Sequence, residues 1–330
     1  MPNFTRNHGF SLVELSVVMV IVGFIAASAL SVAITSDYPT KREETETKML
    51  RIEEALAGYV ATNHRLPCPA SGTVAITDDN FGLEGTQTAD DNCPNKDFVD
   101  ATTFIVGGVV PVTTLQLPDD FMFDGWGHRI DYIVDSHFTN NDTTNAAGCL
   151  GVAGNVCFRD TVAGSLTVND ESGTARTTEA IYVLLSHGEN GHGAFPKPGS
   201  ATSARINGFQ SGNPYRNATA SVDEYTNAKV DSSGATVTPY DGVFVMRDYL
   251  RVDDGSASDG TSTTRVYFDD QVRYKTKSQL VKAAGATIYD SICKTALAIV
   301  NTPGSNDCTG ATDSTQCETF ATSINSNCLQ

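Results

Sequence analysis

The sequence predicts an α+β protein. In it, a long N-terminal membrane-spanning helix is followed by an amphipathic helix packed on an antiparallel β-sheet head with large disulfide-tied loops. Three observations lead to this prediction: an apolar run at 10–34, apolar side chains at helical spacing within 41–63, and short β-branched runs further on, among eight cysteines. We therefore divide the chain into a leader (1–9), a transmembrane helix (10–35), an amphipathic helix (36–63) and an extracytoplasmic head with long insertions (64–330).

The apolar run contains 25 residues and a single ionisable side chain, Glu14. As a helix it would measure about 37 Å, more than the hydrocarbon core of about 30 Å. Arg6 precedes the run, which favours an N-terminus in the cytoplasm and the remainder outside. A charged group inside the bilayer costs about 2.5–3.5 kcal/mol on insertion scales, so Glu14 needs a partner or a function.

Three interpretations of this run compete. Ala27-Ser28-Ala29 fits the cleavage pattern of a secretory signal peptide, and the run could equally be a plain membrane anchor, but neither interpretation explains Glu14. In the third, the stretch Gly9-Phe10-Ser11-Leu12-Val13-Glu14-Leu15, followed by an unbroken apolar helix, resembles the cleavage and assembly signal of type IV prepilins and type II secretion pseudopilins.

This resemblance assigns roles to three residues. It implies that a prepilin peptidase cuts after Gly9 on the cytoplasmic side and methylates the new N-terminal residue, Phe10. Glu14 then pairs with the N-terminal amine of a neighbouring subunit. Two charges buried in an apolar bundle neutralise each other and fix the register between subunits. Gly9, Phe10 and Glu14 are therefore predicted to act in processing and assembly, and no catalytic residue is predicted.

The expected function is that of a structural subunit of a type IV pilus or type II secretion pseudopilus. Because the chain is large for a major subunit, we expect a minor or large-headed one. Its partners would be other pilin or pseudopilin subunits, the prepilin peptidase and the membrane. The expected location is the inner membrane, single-pass with a periplasmic head, and an extracytoplasmic filament after assembly. The alternative is an anchored or secreted binding protein of the adhesin type that does not assemble into filaments.

The composition argues against two other classes. Lys and Arg number 22 against 39 Asp and Glu, a net charge of −17, which repels nucleic-acid backbones. The sequence contains no GxSxG motif, no GxxxxGK[ST] loop and no GxGxxG after a strand. We therefore expect no nucleic-acid partner and no enzymatic activity.

The second helix is predicted from about Lys41 to residue 63. Pro39 is expected to interrupt a continuous helix, and Thr40 with Glu43 has the capping-box pattern. One face carries apolar side chains and the other carries charge. The apolar face is Met49, Ile52, Leu56, Tyr59 and Val60, and the charged face is Arg51, Glu53 and Glu54.

Strand-like runs follow a loop at 70–101. They are 103–106, 109–112, 129–134, 180–185, 243–246 and 265–274. The polar segments 139–178 and 197–240 between them are predicted to be insertions, either disordered or functional surface loops. Helices are predicted near 280–283 and 288–300.

The eight cysteines indicate disulfides formed in an oxidising compartment, because none forms a CxxC pair or a cluster with zinc spacing. Eight cysteines allow 105 pairings. Pairing sequence neighbours gives Cys68–Cys93, Cys149–Cys157, Cys308–Cys317 and Cys293–Cys328.

Two stretches of the head also resemble the major type II secretion pseudopilin. Residues 124–132 match its Asp-Pro-Trp-Gly turn, with Gly125 in place of proline, and residues 181–191 match a strand followed by a Gly-x-Asp/Asn-Gly turn. Trp126 is predicted to be a core aromatic that pins a turn. His187, Glu189 and His192 lack the spacing of a zinc-protease HExxH helix, so we predict a turn with exposed polar tips.

Calcium is the one cofactor that this resemblance suggests, because related pseudopilin heads bind it in a loop after the second turn. The sequence offers two groups of carboxylates, both without EF-hand spacing. They are Asp78, Asp79, Asp90 and Asp91 in one loop and Asp253, Asp254 and Asp259 in another. Solvated acidic loops are the simpler expectation for both.

Overall fold

The computed structural model describes twelve segments of the chain. These are residues 12–13, 15–22, 37–63, 65–85, 93–100, 104–139, 163–199, 205–208, 218–220, 222–230, 241–251 and 265–284. The chain divides into two compact units, Met1–Glu43 and Glu44–Gln330.

Helix α1 comprises residues 12–13 and 15–22. Its large apolar side chains are all exposed, from 52% for Val17 and Ile21 to 86% for Leu12. Most of the predicted span 10–35 lies outside the described residues. Among the residues that are described, no helix combines the length and the apolar character that crossing a membrane requires.

Helix α2 runs from Asp37 to Asn63. It contradicts the prediction that Pro39 interrupts the helix and that Thr40 caps a new one, because both residues lie inside α2. Proline is tolerated there since the first turn of a helix has no backbone acceptor for its N–H groups.

The apolar stripe of α2 is confirmed as a core element. Met49, Ile52, Leu56 and Val60 are each 0% exposed and belong to the same core cluster as the strands. Complete burial of such a side chain stabilises the fold by about 1.5–3 kcal/mol.

The charged face of α2 differs from the prediction at one position. Arg51 is exposed and pairs with exposed Glu54, but Glu53 is buried. The reason is a cross-element ion network: Arg273 donates to Glu46 and, at 2.7 Å, to Glu53, while Lys275 lies 3.4 Å from Glu53. We call Glu46, Glu53, Arg273 and Lys275 the helix clamp.

The head is built on a seven-stranded sheet. Its strands are β1 Phe98–Asp100, β2 Ile105–Val109, β3 Asp131–Asp135, β4 Leu166–Asn169, β5 Ala175–Ser186, β7 Val243–Val245 and β10 Gln271–Thr276. The order is β1-β2-β3-β5-β4-β7, with β10 paired to β5. All pairs are antiparallel except β4 with β7. This confirms the α+β class and an antiparallel-rich sheet.

The long strand β5 organises the sheet. Ala180 is paired with β4 on one edge and with β10 on the other. Side chains alternate between the two faces of a strand. Arg273 and Lys275 of β10 reach α2, so Tyr182, which is opposite Lys275, shares that face. Asp131, at the start of β3, is opposite Leu185. Leu185 alternates with the residues that face α2, so the side chain of Asp131 lies on the opposite face of the sheet.

The strand predictions are correct in place but not in extent. The runs 103–106 and 109–112 form a single strand, β2, which ends at Val109 before Pro111, a residue that cannot donate to a ladder. The run 265–274 is two strands, since Asp269 and Asp270 separate β9 (Arg265–Phe268) from β10. Strands β1 and β4 were not predicted, and β4 and the start of β5 occupy part of a predicted loop.

A smaller sheet adds β6 Ala218–Ala220, β8 Leu250–Arg251 and β9, in the order β6-β9-β8. Helix α3 spans Val222–Ala228 and helix α4 spans Lys277–Ala283. Thr276 and Gln279 form a capping box at the start of α4, which confirms the helix predicted near 280–283. The helix predicted at 288–300 lies outside the described residues.

One predicted disulfide is confirmed, between Cys68 and Cys93. It closes a loop of sequence separation 25 beside the end of α2. Such a cross-link stabilises the fold by about 3 kcal/mol, chiefly by restricting the unfolded chain. The other six cysteines lie outside the described residues.

Candidate functional site

The predicted processing and assembly residues Gly9, Phe10 and Glu14 lie outside the described residues. What the structure shows beside them is α1, whose side chains Leu12, Val13 and Leu15 expose 86%, 69% and 60% of their surface. A contiguous exposed apolar surface marks a site of contact with protein or lipid. The structure does not test the roles of the three residues.

In the head, the first resemblance stretch folds around the carboxylate of Asp124. Its Oδ1 accepts hydrogen bonds from the backbone N–H groups of Trp126 and His128, both at 2.9 Å. Its Oδ2 accepts from the hydroxyl of Ser186 at 2.7 Å, which ties this turn to the end of β5. Trp126 itself is only half-buried, so the prediction of a core aromatic was wrong. The carboxylate of Asp124 organises the turn through these three hydrogen bonds.

The second stretch forms the predicted turn at 188–193, but both of its histidines are buried. His187 is 0% exposed and His192 1%, while Glu189 is half-buried. Asn190 of the same turn is 2% exposed. They are covered by parts of the predicted surface insertion, because Arg205 lies against His187 and Glu224 against Asn190. The backbone reverses through Gly188, Gly191 and Gly193, all at positive φ.

A buried ion pair lies next to this turn. Arg205 donates to the carboxylate of Asp131, and His187 Nε2 lies 3.1 Å from the same Oδ2 oxygen. Burial lowers the pKa of His187, so its imidazole is neutral at physiological pH. With the proton on Nε2, where it meets Asp131, the other ring nitrogen of His187 carries a lone pair.

That second nitrogen faces three buried carboxylates. Nδ1 of His187 lies 3.9 Å from Oδ1 of Asp270. Asp270, Asp269 and Glu224 each offer an oxygen, and these oxygens all lie within 4.8 Å of one another. We call these three residues the carboxylate cluster. Among the described residues, they form the one group of His, Cys, Asp and Glu side chains with the spacing of metal ligands.

The cluster is electrostatically strained when ionised. Burial, and then repulsion by the neighbouring carboxylates, raises the pKa values of Glu224 and Asp270. Burial also raises the pKa of Asp269, to about 7. At these separations and an effective dielectric constant of about 20, each pair of charges repels by about 3–4 kcal/mol. Chemically, the cluster can hold protons or a cation.

The turn at 188–193 holds the cluster in place. Asn190 donates through its side chain to Glu224 and through its backbone N–H to Oδ2 of Asp269, the latter at 2.9 Å. The hydroxyl of Tyr267 donates to the same Asp269 oxygen at 3.0 Å. The Asn190 position belongs to the Gly-x-Asn-Gly pattern, so the second resemblance stretch marks the location of the cluster.

The sequence did not identify the members of the cluster. Of its calcium candidates, Asp78 uses its carboxylate to accept from the backbone and side chain of Asn80, and Asp79 is exposed. The other candidates lie outside the described residues. Asp269 and Asp270 could have been found from the sequence, because two adjacent carboxylates are unusual inside a predicted strand such as 265–274. Glu224 lies in an insertion without any pattern.

Comparison with known families gives one match. Residues 4–30 match the family described as the prokaryotic N-terminal methylation motif. Comparisons with curated proteins and with solved structures found no match for the chain. The match covers the stretch that contains Gly9, Phe10 and Glu14 and ends near the last apolar residues of the predicted helix. At residues 4–30, the chain therefore carries the N-terminal signal of type IV pilins and pseudopilins.

Proposed function

We propose that this protein is a subunit of a type IV pilus or type II secretion pseudopilus, minor or large-headed, which assembles through its N-terminal helix. The observation that carries this proposal is the methylation motif at residues 4–30. The role is structural and not catalytic. The size of the chain, 330 residues, supports an enlarged head over a compact major subunit.

Processing comes first. A prepilin peptidase removes residues 1–9 by cutting after Gly9 and methylates Phe10. Until assembly, the subunit is held in the inner membrane by its apolar helix, with the head outside the cytoplasm. The disulfide Cys68–Cys93 supports this orientation, because such bonds persist in oxidising compartments.

Assembly then uses the apolar surface of α1. Its described apolar side chains are 52–86% exposed, an arrangement that is stable in water only when another apolar surface covers it. In the filament, the same helices of neighbouring subunits provide that surface. Glu14 meets the N-terminal amine of a neighbour, and the two charges compensate each other and set the axial register.

The test is the substitution Glu14→Gln, followed by measurement of the filament-bound fraction in cells of the native host. We expect at least a tenfold fall in incorporation, because the neighbour's amine is left as a buried, unpaired charge. Ser16→Ala is the matched control, since it removes a polar side chain from α1 without changing charge. Unchanged incorporation of the Glu14 variant would favour the alternative, an anchored binding protein that forms no filament.

A further inference from the structure

We propose that three side chains close one edge of the central sheet, and that this edge pairs with the same edge of a second copy of the chain when the closure is removed. The edge belongs to β7, the last strand in the order of the seven-stranded sheet. The side chains are Asn227, Lys229 and Asp241, which we call the edge seal. The proposal goes beyond assembly through the N-terminal helix, and its test does not depend on the N-terminal signal.

The open edge of β7 consists of the backbone groups of two residues. On its other side, β7 pairs with β4 in parallel, where the backbone oxygen of Gly242 and the backbone N–H of Met246 bond to β4 at 3.0 and 2.9 Å. Successive residues of a strand direct their backbone groups to opposite sides. The N–H and C=O groups of Val243 and Val245 therefore point away from β4. Among the strands that the structure describes, none pairs with this side of β7.

The edge seal satisfies all four of these backbone groups. The side-chain amide of Asn227 accepts from the N–H of Val245 at 2.7 Å and donates to its C=O at 2.9 Å. Asp241 accepts from the N–H of Val243 at 3.1 Å, and Lys229 donates to the C=O of Val243. Lys229 and Asp241 also form an ion pair with each other. Every backbone donor and acceptor on this edge thus has a partner, as buried backbone groups require.

Asn227, at the end of α3, takes the place of a neighbouring strand. A primary amide carries the same kind of donor and acceptor as a peptide group. A strand that added to this edge would bond to the N–H and C=O of Val245 in the same way. Asn227 is 1% exposed, and a further hydrogen bond to Asp270 helps to fix its amide. Asn227 and an added strand therefore cannot occupy the edge together.

The sequence of β7 indicates which partner the edge seal excludes. Residues 242–246 read Gly-Val-Phe-Val-Met, with no charged residue and no proline. Uncharged segments rich in β-branched and aromatic residues pair readily with copies of themselves. Edge strands are usually protected by a lysine, a proline or a bulge, but β7 contains neither residue and its register with β4 has no bulge. Because two identical strands can pair about a two-fold axis, the expected occupant is β7 of a second copy.

The test measures self-association of the full-length protein in detergent, by size-exclusion chromatography with light scattering over a range of protein concentrations. Wild type gives the baseline for association through the N-terminal helix. Asn227→Ala leaves the N–H and C=O of Val245 open, so we expect its association constant to rise by about tenfold or more. In hydrogen-exchange mass spectrometry, residues 242–246 of this variant should exchange faster than in wild type when dilute and become protected again when concentrated.

Two further variants make the test specific to β7. Adding Val245→Pro to Asn227→Ala removes the N–H that an incoming strand needs but keeps the hydrogen bonds to β4, so association should return to the wild-type level. Asn95→Ala is the matched control. It removes another asparagine that donates to a backbone oxygen, that of Leu83 at 2.8 Å, in the segment that leads into β1 at the other end of the sheet. It should associate as wild type does.

Lys229→Met, which opens the C=O of Val243, replaces Asn227→Ala under the same criteria if the Asn227 variant does not fold. The proposal is overturned if the seal variant associates no more strongly than wild type. It is also overturned if the added proline leaves the association unchanged, or if Asn95→Ala associates as strongly as the seal variant.

Discussion

The two charged groups that flank strand β10, the helix clamp and the carboxylate cluster, handle buried charge in opposite ways. On the face toward α2, the helix clamp pairs two basic residues, Arg273 and Lys275, with two acidic ones, Glu46 and Glu53. Beyond the start of β10, where α3 meets the β9–β10 connection, the carboxylate cluster gathers three acidic side chains with no basic residue of its own.

The difference shows which charges serve the fold. Arg273 is 21% exposed and Glu46 44%, so the clamp is partly hydrated and internally neutral, and it holds α2 against β10. The cluster is buried and unbalanced, so its carboxylates repel each other when they are ionised, and their pKa values are raised. Three predictions test this comparison.

The largest effect is expected at Gly188. A Cβ atom there would lie 2.4 Å from Cγ of Asp269 and 2.6 Å from its backbone oxygen, at a φ of +56°. Gly188→Ala should lower the free energy of unfolding by about 3 kcal/mol, through left-handed strain and overpacking. Urea denaturation of the variant and of wild type measures this loss.

The control is Gly173→Ala. Gly173 also has a positive φ, +78°, but its Cβ would meet nothing within 4 Å. It should cost only the conformational strain of about 1 kcal/mol. Equal losses in the two variants would mean that Asp269 does not pack against the turn as the structure shows.

The next effect tests the clamp. Arg273→Met should lower the free energy of unfolding by about 2 kcal/mol, because it leaves the buried carboxylate of Glu53 with Lys275 alone. Arg51→Met is its control, since Arg51 and Glu54 are 64% and 65% exposed and such pairs contribute less than about 1 kcal/mol. A loss no larger than that of the control would contradict this prediction, because it would mean that the helix clamp stabilises the fold no more than an exposed ion pair does.

The smallest effect concerns Asp97, which lies near the Arg205–Asp131 pair. Burial raises the pKa of Asp97 from 3.8 to about 6, with a further contribution from Asp131 and opposed by Arg205 and by hydrogen bonds from Ser71 and Gly72. The folded protein therefore binds a proton more readily than the unfolded chain between these pH values. The contribution of Asp97 to the free energy of unfolding is therefore largest below about pH 4 and is lost as the pH rises to about 6.

The stability of wild type relative to Asp97→Asn should therefore decline by about 1 kcal/mol across that pH range, after allowance for partial exposure. Denaturation at a series of pH values measures this difference. The exposed variant Asp79→Asn should show no such trend. A relative stability that rises with pH would mean that Asp97 is stabilised as an anion.

The parts of the fold that were predicted correctly depend on residues that are close together in the sequence. The stripe Met49, Ile52, Leu56 and Val60 repeats along one helix face, and the disulfide Cys68–Cys93 joins sequence neighbours, so both were readable. Glu53 was placed on the polar face because its partners are on β10, more than 200 residues away. A local pattern cannot show such a contact.

The carboxylate cluster was missed for the same physical reason. Glu224, Asp269 and Asp270 meet only because α3 and the β9–β10 connection fold over the turn at 188–193. The turn itself was predicted from its glycines, but its burial was not, because the residues that cover it belong to a polar insertion. Polar composition indicates a surface location only where no other segment packs on top.

The central claim of this account is that the N-terminal signal is processed as a prepilin signal. Mass spectrometry of the mature protein from its native membrane measures its first residue directly. We predict a chain that begins at N-methylated Phe10 and retains Glu14. A chain that begins at Leu30 would contradict the account, because ordinary signal-peptide cleavage removes both Glu14 and the exposed apolar helix on which assembly depends.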